Sequence, residues 1–179
     1  MRKSRSPAPG SFIALALALA CPPSSYGETA KAPPTRIAVF AFELEDASPG
    51  ATYLGETGKH AATMADAARA ARLELSESGR YGVIDASGVD TSQIAAKGLR
   101  NCGGCEAGLA LKLGAEQSLL GVVIKATQTD YYVLIQIRDA RTGRLLDRQE
   151  ANFAGSEQGW PSGVRMLIRH QVLAVPPSS

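Results

Sequence analysis

Two apolar segments separated by a long alanine-rich stretch constrain the fold of this chain more than any other feature. The segments are RIAVFAFEL at 36–44 and RYGVIDA at 80–86, and both are short and rich in β-branched or aromatic residues, as buried strands are. The stretch 52–78 contains no proline, and its apolar residues recur at helical spacing. One face of this helix carries Met64, Ala68, Ala71 and Leu75. The order predicts a βαβ unit whose strands share one sheet.

The second half of the chain predicts a short helix after a cysteine pair, a three-strand meander and a C-terminal helix. The three strands are predicted over 116–127, 129–140 and 144–153, and the final helix over 160–173. The predicted fold class is therefore α/β (α+β-like), a single domain in which helices pack on a mixed β-sheet. Its core is expected to contain Ile37, Val39, Val83, Val122, Ile124, Val133, Ile135 and Ile137.

The N-terminus has the order of a secretory signal. A basic segment, MRKSRSPAPG, precedes the short apolar run SFIALALALA, and small residues and turn formers follow. The run is too short to span a bilayer as a mature helix. We therefore predict a signal peptide at 1–27, a Pro-rich linker at 28–35, one domain at 36–173 and a disordered tail at 174–179.

Cys21 leaves two interpretations open. Ala18 and Ala20, or Ser25 and Gly27, fit a small-x-small cleavage site, and on the first interpretation Cys21 lies within the discarded signal. The sequence LALAC also resembles a lipobox, in which Cys21 would be lipidated, although Ala18 stands where leucine is expected. The protein contacts a membrane only in the second case.

Charge and motif content exclude several classes of function. The net charge is +2, and the basic excess lies in the N-terminal segment, so no basic surface for nucleic acid is predicted. The chain has no phosphate-binding glycine loop and no nucleophile elbow. His60 and His170, its two histidines, are not spaced as a metal site, and no second cysteine pair exists. We therefore expect no metal, no cofactor and no catalytic residue.

The joint order of several short motifs points to known families. RIAVFAFEL, ESGRYGVID, LGAEQSLLGVVIKA and IQIRDARTGRLL together look like the TolB N-terminal and CsgG-like periplasmic α/β domain. CGGCEAGLALKLGAEQSLLGVV with IRDARTGRLL and the late W..GVR segment resembles more closely the uncharacterised bacterial family DUF2380, also called DUF3280. The resemblance covers residues 36–173 and implies a small periplasmic α/β domain, without an activity to transfer.

Cys102 and Cys105 permit three interpretations. An exported chain with two nearby thiols in its folded part favours a structural disulfide that holds the GG turn and the next helix. A thiol–disulfide redox pair is the alternative, because a helix start favours a thiolate, although Glu106 opposes one. Free thiols are the third possibility. On the structural interpretation the thiols do no chemistry, and binding of a partner does not depend on them.

A second group of residues is a possible binding surface. Trp160, Arg165 and Arg169 fall near one helix face, and tryptophan and arginine are common anchors at interfaces. The alternative is a core tryptophan beside a solvated basic face. Arg138 and Asp139 at a strand end could also form a site, although an aspartate before a turn commonly caps it.

These observations predict an exported, non-enzymatic accessory domain of the bacterial envelope that binds another periplasmic or envelope protein. Two alternatives remain, a periplasmic thiol–disulfide redox protein using Cys102 and Cys105, and a lipid-anchored envelope assembly component with Cys21 as the anchor.

We predict that the mature protein begins between Cys21 and Lys31, because the basic and apolar segments direct export and are then removed. The intact mass of the alkylated, non-reduced protein from its native host reports the N-terminus and any lipid on Cys21 together. Retention of Met1 in that protein would contradict the prediction.

Overall fold

A computed structural model describes residues 33–49, 51, 60–92 and 98–174 of the chain. The predicted signal peptide lies outside these residues, as do most of the linker and of the tail. The strands are β1 Thr35–Phe40, β2 Glu43–Asp46, β3 Tyr81–Ala86, β4 Gln117–Lys125, β5 Asp130–Asp139 and β6 Leu145–Ala154. The helices are α1 Ala61–Glu77, α2 Cys105–Lys112 and α3 Trp160–Leu167, with 3₁₀ turns at Leu99–Asn101 and Glu157–Gly159.

All six strands form one mixed sheet in the order β3-β1-β4-β5-β6, and β2 also lies beside β4. β1 pairs in parallel with both β3 and β4, while β4, β5 and β6 pair antiparallel. The predicted βαβ unit and the predicted meander are therefore both confirmed. The helices pack on the sheet, so the predicted α/β fold class is confirmed as well.

The two faces of the sheet are covered differently. α1 and α3 pack side by side on one face, where Leu75 and Trp160 lie in a core with Ile37 and Ile135. α2 packs on the other face, above a smaller core that includes Phe40. The expected sheet residues are buried except Val83 and Ile124, which are half-buried and pack against these cores.

The predicted strand 36–44 is interrupted in the structure. β1 ends at Phe40, and β2 continues along the same edge of β4 after Ala41 and Phe42. Val39 lies opposite Leu119 whereas Glu43 lies opposite Val122, so this edge carries one residue more than β4 does. Such an insertion reverses the side-chain alternation. Phe42 therefore joins the larger core, and Glu43 points to the α2 face of the sheet.

The Phe42 ring fits against β4 only because position 121 is a glycine. Its ring packs over Gly121, where a Cβ atom would lie 2.2 Å from the Phe42 ring. The glycine in this central strand therefore makes room for the aromatic ring that follows the insertion.

Two helix predictions differ from the structure. The predicted helix 52–78 appears as α1 from Ala61 onward, and residues 52–59 lie outside the described ranges. The predicted helix 160–173 changes after Leu167 into a π-helical turn, Ile168–Val172. This wider turn leaves both Ile168 and Val172 buried against the sheet. Among the helices that the structure describes, none has the length and apolar character needed to cross a membrane.

We predict that Gly121→Ala lowers the free energy of unfolding by about 1–3 kcal/mol, because the new methyl group must displace the buried Phe42 ring. The matched control is Gly108→Ala in α2, where no atom beyond the adjoining residues and the helix's own backbone lies within 4 Å of the added carbon. That control should raise the free energy of unfolding by up to about 1 kcal/mol. Equal effects of the two substitutions in urea unfolding would contradict the packing argument.

Candidate functional site

A cleft lies where the chain leaves the parallel strands. From β1 and β2 the chain passes to α1 on one face of the sheet, whereas from β3 it passes to α2 on the opposite face. In open α/β sheets, ligands bind where neighbouring strands send their connections to opposite faces. β3 ends at Ala86, opposite Phe40 at the end of β1, and Ser87 and Glu43 both line the cleft.

The cleft has a volume of about 1020 Å³. Its apolar lining comes from the strand insertion and from the first turns of α1 and includes Phe42, Leu44, Met64 and Ala68. A cavity of this size is at the upper end of the range for small-molecule pockets, and it also accommodates a segment of polypeptide.

Glu43 holds one wall of the cleft in place. Its Oε1 accepts the backbone N–H of Leu99, and its Oε2 accepts the backbone N–H of Arg100 at 3.2 Å and Arg100 Nη1 at 3.0 Å. The carboxylate comes so close that a Cβ atom on Gly98 would lie 2.7 Å from Oε2. Gly98 also has φ of +87°, which favours glycine. The turn Leu99–Asn101 is thereby fixed to β2 across the cleft wall.

A second, more polar cavity of about 410 Å³ adjoins the cleft. Its lining includes Lys125, Asp130 and Glu157, and His60 lines both cavities. His60 is 6% exposed, its Nδ1 lies against the Glu157 carboxylate, and its ring centroid lies 5.3 Å from that of Trp160. His60 therefore belongs to the wall between the two cavities.

Asp46 lies at the junction of the two cavities. It accepts hydrogen bonds from the Ser48 side chain and backbone, and Lys125 Nζ lies 3.2 Å from its Oδ2. Burial alone would raise the pKa of Asp46, but the Ser48 hydrogen bonds and Lys125 together lower it below the ordinary value. The carboxylate is therefore ionised at neutral pH and fixes the end of β2.

The cysteine pair lies at the start of α2. The Cys102 and Cys105 sulfur atoms are at disulfide-bonding distance, 2.04 Å, and both residues are half-buried. The backbone N–H of Cys105 donates to Cys102 Sγ at 3.1 Å. Cys102 also follows the turn Leu99–Asn101, and its own N–H donates to the Leu99 carbonyl.

Glu106 lies beneath the cysteine pair and is 1% exposed. Its Oε1 accepts Arg138 Nε at 3.0 Å, and its Oε2 lies 3.8 Å from Cys102 Sγ. The Cys102, Cys105 and Glu106 ligand atoms lie within 4.8 Å of one another. Because the sulfurs are bonded to each other and Glu106 is paired with Arg138, this cluster offers no free set of metal ligands in the oxidised protein.

The predicted surface residues differ in burial and in their hydrogen-bond partners. Trp160 is buried in the larger core at 2% exposure, and Arg169 forms a bidentate ion pair with Glu74 of α1 at 2.8–3.1 Å. Arg165 is exposed and donates to Ser162 Oγ. A binding role for these two arginines stays a prediction. Trp160 lies beneath the surface that they occupy.

Arg138 and Asp139 have separate tasks. Arg138 pairs with Glu106 on the α2 face of the sheet and also donates to the Gly143 carbonyl. Asp139 Oδ1 accepts one hydrogen bond from the backbone N–H of Thr142 and another from its hydroxyl group. These two bonds lower the pKa of the Asp139 carboxyl group. Asp139 thus caps the β5–β6 turn, and its participation in a binding surface stays a prediction.

The contacts of Glu43 and Glu106 are not predicted by the sequence, which indicates only that Glu106 is close to the cysteine pair. The partner of each carboxylate is distant in the chain: Leu99 for Glu43 and Arg138 for Glu106. A charged residue inside an apolar run, as Glu43 is in AFEL, was the available signal.

Comparisons with known proteins agree with this fold. The sequence profile of the DUF3280 family, described as "Protein of unknown function (DUF2380)", matches residues 35–172, which confirms the predicted resemblance. No curated protein matches the chain.

Several solved structures are similar. The PelC dodecamer from Paraburkholderia phytofirmans is 17% identical with a TM-score of 0.50, covering 78% of this chain and 85% of that one. The LpoB C-terminal domain from Salmonella enterica is 12% identical with a TM-score of 0.42, covering 70% and 86%. TolB from Acinetobacter baumannii is 18% identical with a TM-score of 0.43, covering 82% of this chain and 31% of that one. At these identities the PelC similarity supports the fold alone.

We predict that Asp46→Asn lowers the free energy of unfolding at pH 7 by on the order of 1 kcal/mol, because the amide cannot replace the ionised acceptor of Ser48 and Lys125. The folded-state pKa of Asp46 lies below its unfolded value of 3.8, so the stabilisation is present above that value. The difference between the two proteins should therefore shrink as the pH falls below 3.8 toward the folded-state pKa.

The matched control is Asp66→Asn, which removes an exposed ion pair with Arg69 and should change stability little at any pH. If the free energy of unfolding of Asp46→Asn stays below that of the natural protein by the same amount from pH 7 to strongly acidic solution, ionisation of the Asp46 carboxyl does not contribute to stability.

Proposed function

The chain belongs to the DUF3280 (DUF2380) family, and on that premise we propose that it is an exported, non-enzymatic accessory domain of the bacterial envelope. Its proposed task is to bind a segment of another periplasmic or envelope protein in the cleft beside β2. The N-terminal charge and apolar pattern supports export to the periplasm. Attachment to the membrane would require lipidation of Cys21.

The cleft beside β2 is the observation that carries this proposal. It lies at the position in an open α/β sheet where ligands bind, and its lining is mainly apolar. The charged side chains that line it are already paired, Glu43 with Arg100, Asp46 with Lys125 and Arg72 with Asp85. A lining of apolar and neutralised groups suits binding better than proton transfer, which needs a poised acid or base.

An extended polypeptide segment fits the shape of this cleft. β2 pairs on one side with β4, and the described part of the chain places no strand on its other side. A partner strand laid along β2 would gain main-chain hydrogen bonds, and Met64 and Phe42 would contact its alternate side chains. This mode of binding suits a protein partner better than a small molecule.

The cysteine pair has a structural task in this proposal. A bond between Cys102 and Cys105 ties the turn Leu99–Asn101 to the start of α2, and this turn forms part of the cleft wall. The closed loop is very short, so its contribution to global stability is expected at the low end of about 0–5 kcal/mol.

Thiol–disulfide exchange is a second candidate function, favoured by one contact. The N–H of Cys105 donates to Cys102 Sγ, which stabilises a thiolate at that atom when the bond opens. Glu106, 3.8 Å away, carries its own charge compensation from Arg138. Oxidation of a reduced substrate protein at catalytic rates, lost in Cys102→Ser alone, would make this an enzyme.

We predict that a photoreactive amino acid at position 65 crosslinks to a specific envelope protein in the native host. Ala65 is exposed on α1 and lines the cleft, whereas Ala62 is exposed on the same helix outside the cleft lining. The adduct should therefore form from position 65 and not from position 62, as read by gel shift and mass spectrometry.

A second variant tests occupancy of the cleft. Ala61 is exposed and also lines the cleft, so Ala61→Arg should fill the cleft and abolish the adduct from position 65 without unfolding the protein. Identical adducts from positions 62 and 65, or an adduct indifferent to Ala61→Arg, would show that partners do not bind there.

A further inference from the structure

We propose that the Cys102–Cys105 disulfide is a reducible lock on the wall of the binding cleft, and that the oxidised form is the one that binds. This inference rests on the proposed function of the cleft. Its basis is a continuous series of contacts from the disulfide through the turn Leu99–Asn101 to Glu43, which lines the cleft.

The first contacts join the disulfide to the turn. The N–H of Cys102 donates to the Leu99 carbonyl at 3.2 Å, and Cys102 Sγ lies 3.0 Å from the same oxygen. The position of Cys102 therefore fixes the 3₁₀ conformation of the turn. While Cys102 is bonded to Cys105, the turn cannot move away from the start of α2.

The next contacts join the turn to the cleft. Both oxygens of Glu43 bind the turn, through the N–H groups of Leu99 and Arg100 and through the Arg100 guanidinium. Gly98 and Arg100 line the cleft together with Glu43. Displacement of the turn would therefore separate Arg100 from Glu43 and leave a carboxylate in the cleft with its hydrogen bonds lost.

The start of α2 is anchored independently of the disulfide. Glu106 is buried and paired with Arg138 of β5, and the Arg138 side chain passes within 3.3 Å of the Cβ position of Gly104. Arg138 also binds the Gly143 carbonyl in the β5–β6 turn. Opening the disulfide therefore releases the turn Leu99–Asn101, while α2 keeps its place on the sheet.

The chemistry of opening is a two-electron reduction by a dithiol. One thiolate of the dithiol attacks Cys105 Sγ, the bond to Cys102 breaks, and Cys102 leaves as a thiolate that the Cys105 N–H stabilises. The second thiolate of the dithiol then attacks the mixed disulfide and displaces Cys105. The dithiol leaves oxidised, and its two protons end on Cys102 and Cys105. Both cysteines are half-buried, so a reductant can reach them.

With the lock in place, binding depends on whether Cys102 and Cys105 are bonded. The sequence-based interpretation makes binding independent of the thiols, because it gives them no chemical task. The contacts of Leu99 with Glu43, separated by 56 positions in the chain, provide a mechanical route from the disulfide to the cleft. Loss of the bond should therefore weaken binding without any reaction at the thiols themselves.

The test is amide hydrogen exchange by NMR on the whole mature protein, oxidised and then reduced with dithiothreitol. We expect reduction to lower the protection of the Leu99 and Arg100 amides by about tenfold or more, because their Glu43 hydrogen bonds open. The Arg36 amide, which donates to Glu116 Oε2 at 2.8 Å, is the matched control and should not change. Glu43→Gln should lower protection of the same two amides in the oxidised protein.

If reduction leaves the Leu99 and Arg100 amides as protected from hydrogen exchange as before, the proposed lock is wrong. A uniform loss that includes Arg36 would also overturn it, because the disulfide would then act on global stability alone. The Cys102→Ser/Cys105→Ser double variant should reproduce the reduced pattern, and the reduced natural protein gives the same information if that variant does not fold. The measurement needs no partner, so its failure is distinct from failure of the crosslinking test of the cleft.

Discussion

The one-residue insertion between β1 and β2 is the constraint on which the site depends. β1 and β2 follow one another along the same edge of β4, and the insertion reverses which face of the sheet successive side chains of β2 point to. Without it, Glu43 would point into the larger core and Phe42 to the opposite face. With it, Phe42 covers Gly121, and Glu43 reaches the turn before α2. The floor and the wall of the cleft therefore arise from the same irregularity.

Two buried carboxylates, one on each face of the sheet, link the helices to their neighbouring elements. Glu74 of α1 pairs with Arg169 beyond α3, and Glu106 of α2 pairs with Arg138 of β5. Both glutamates are buried, so each needs its arginine to compensate for lost hydration. The Arg169 side chain is 59% exposed and the Arg138 side chain only 20%, so it is the Glu106 pair whose disruption approaches the cost of breaking a buried pair, about 3–5 kcal/mol. The pairs thus specify where each helix lies more than they add to stability.

Much of the fold was predictable because the local signals agree. Alternating apolar residues in β5 and helical spacing in α1 each have one interpretation, and the RTG turn joins β5 to β6 as expected. The strand insertion was not predictable, because RIAVFAFEL is apolar throughout its first part and such a run does not define which side chain faces which side. The site depends on Glu43 and Leu99, and contacts between distant residues leave no periodic pattern in a single sequence.

β6 has a consequence for how this protein behaves among other chains. It forms an outer edge of the sheet, paired with β5 alone in the described part of the chain, and its residues include Asp147, Arg148 and Glu150. Arg148 and Glu150 lie 3.7 Å apart near that edge. A strand that docked there would have to dehydrate these charges, so pairing with another chain through β6 is disfavoured.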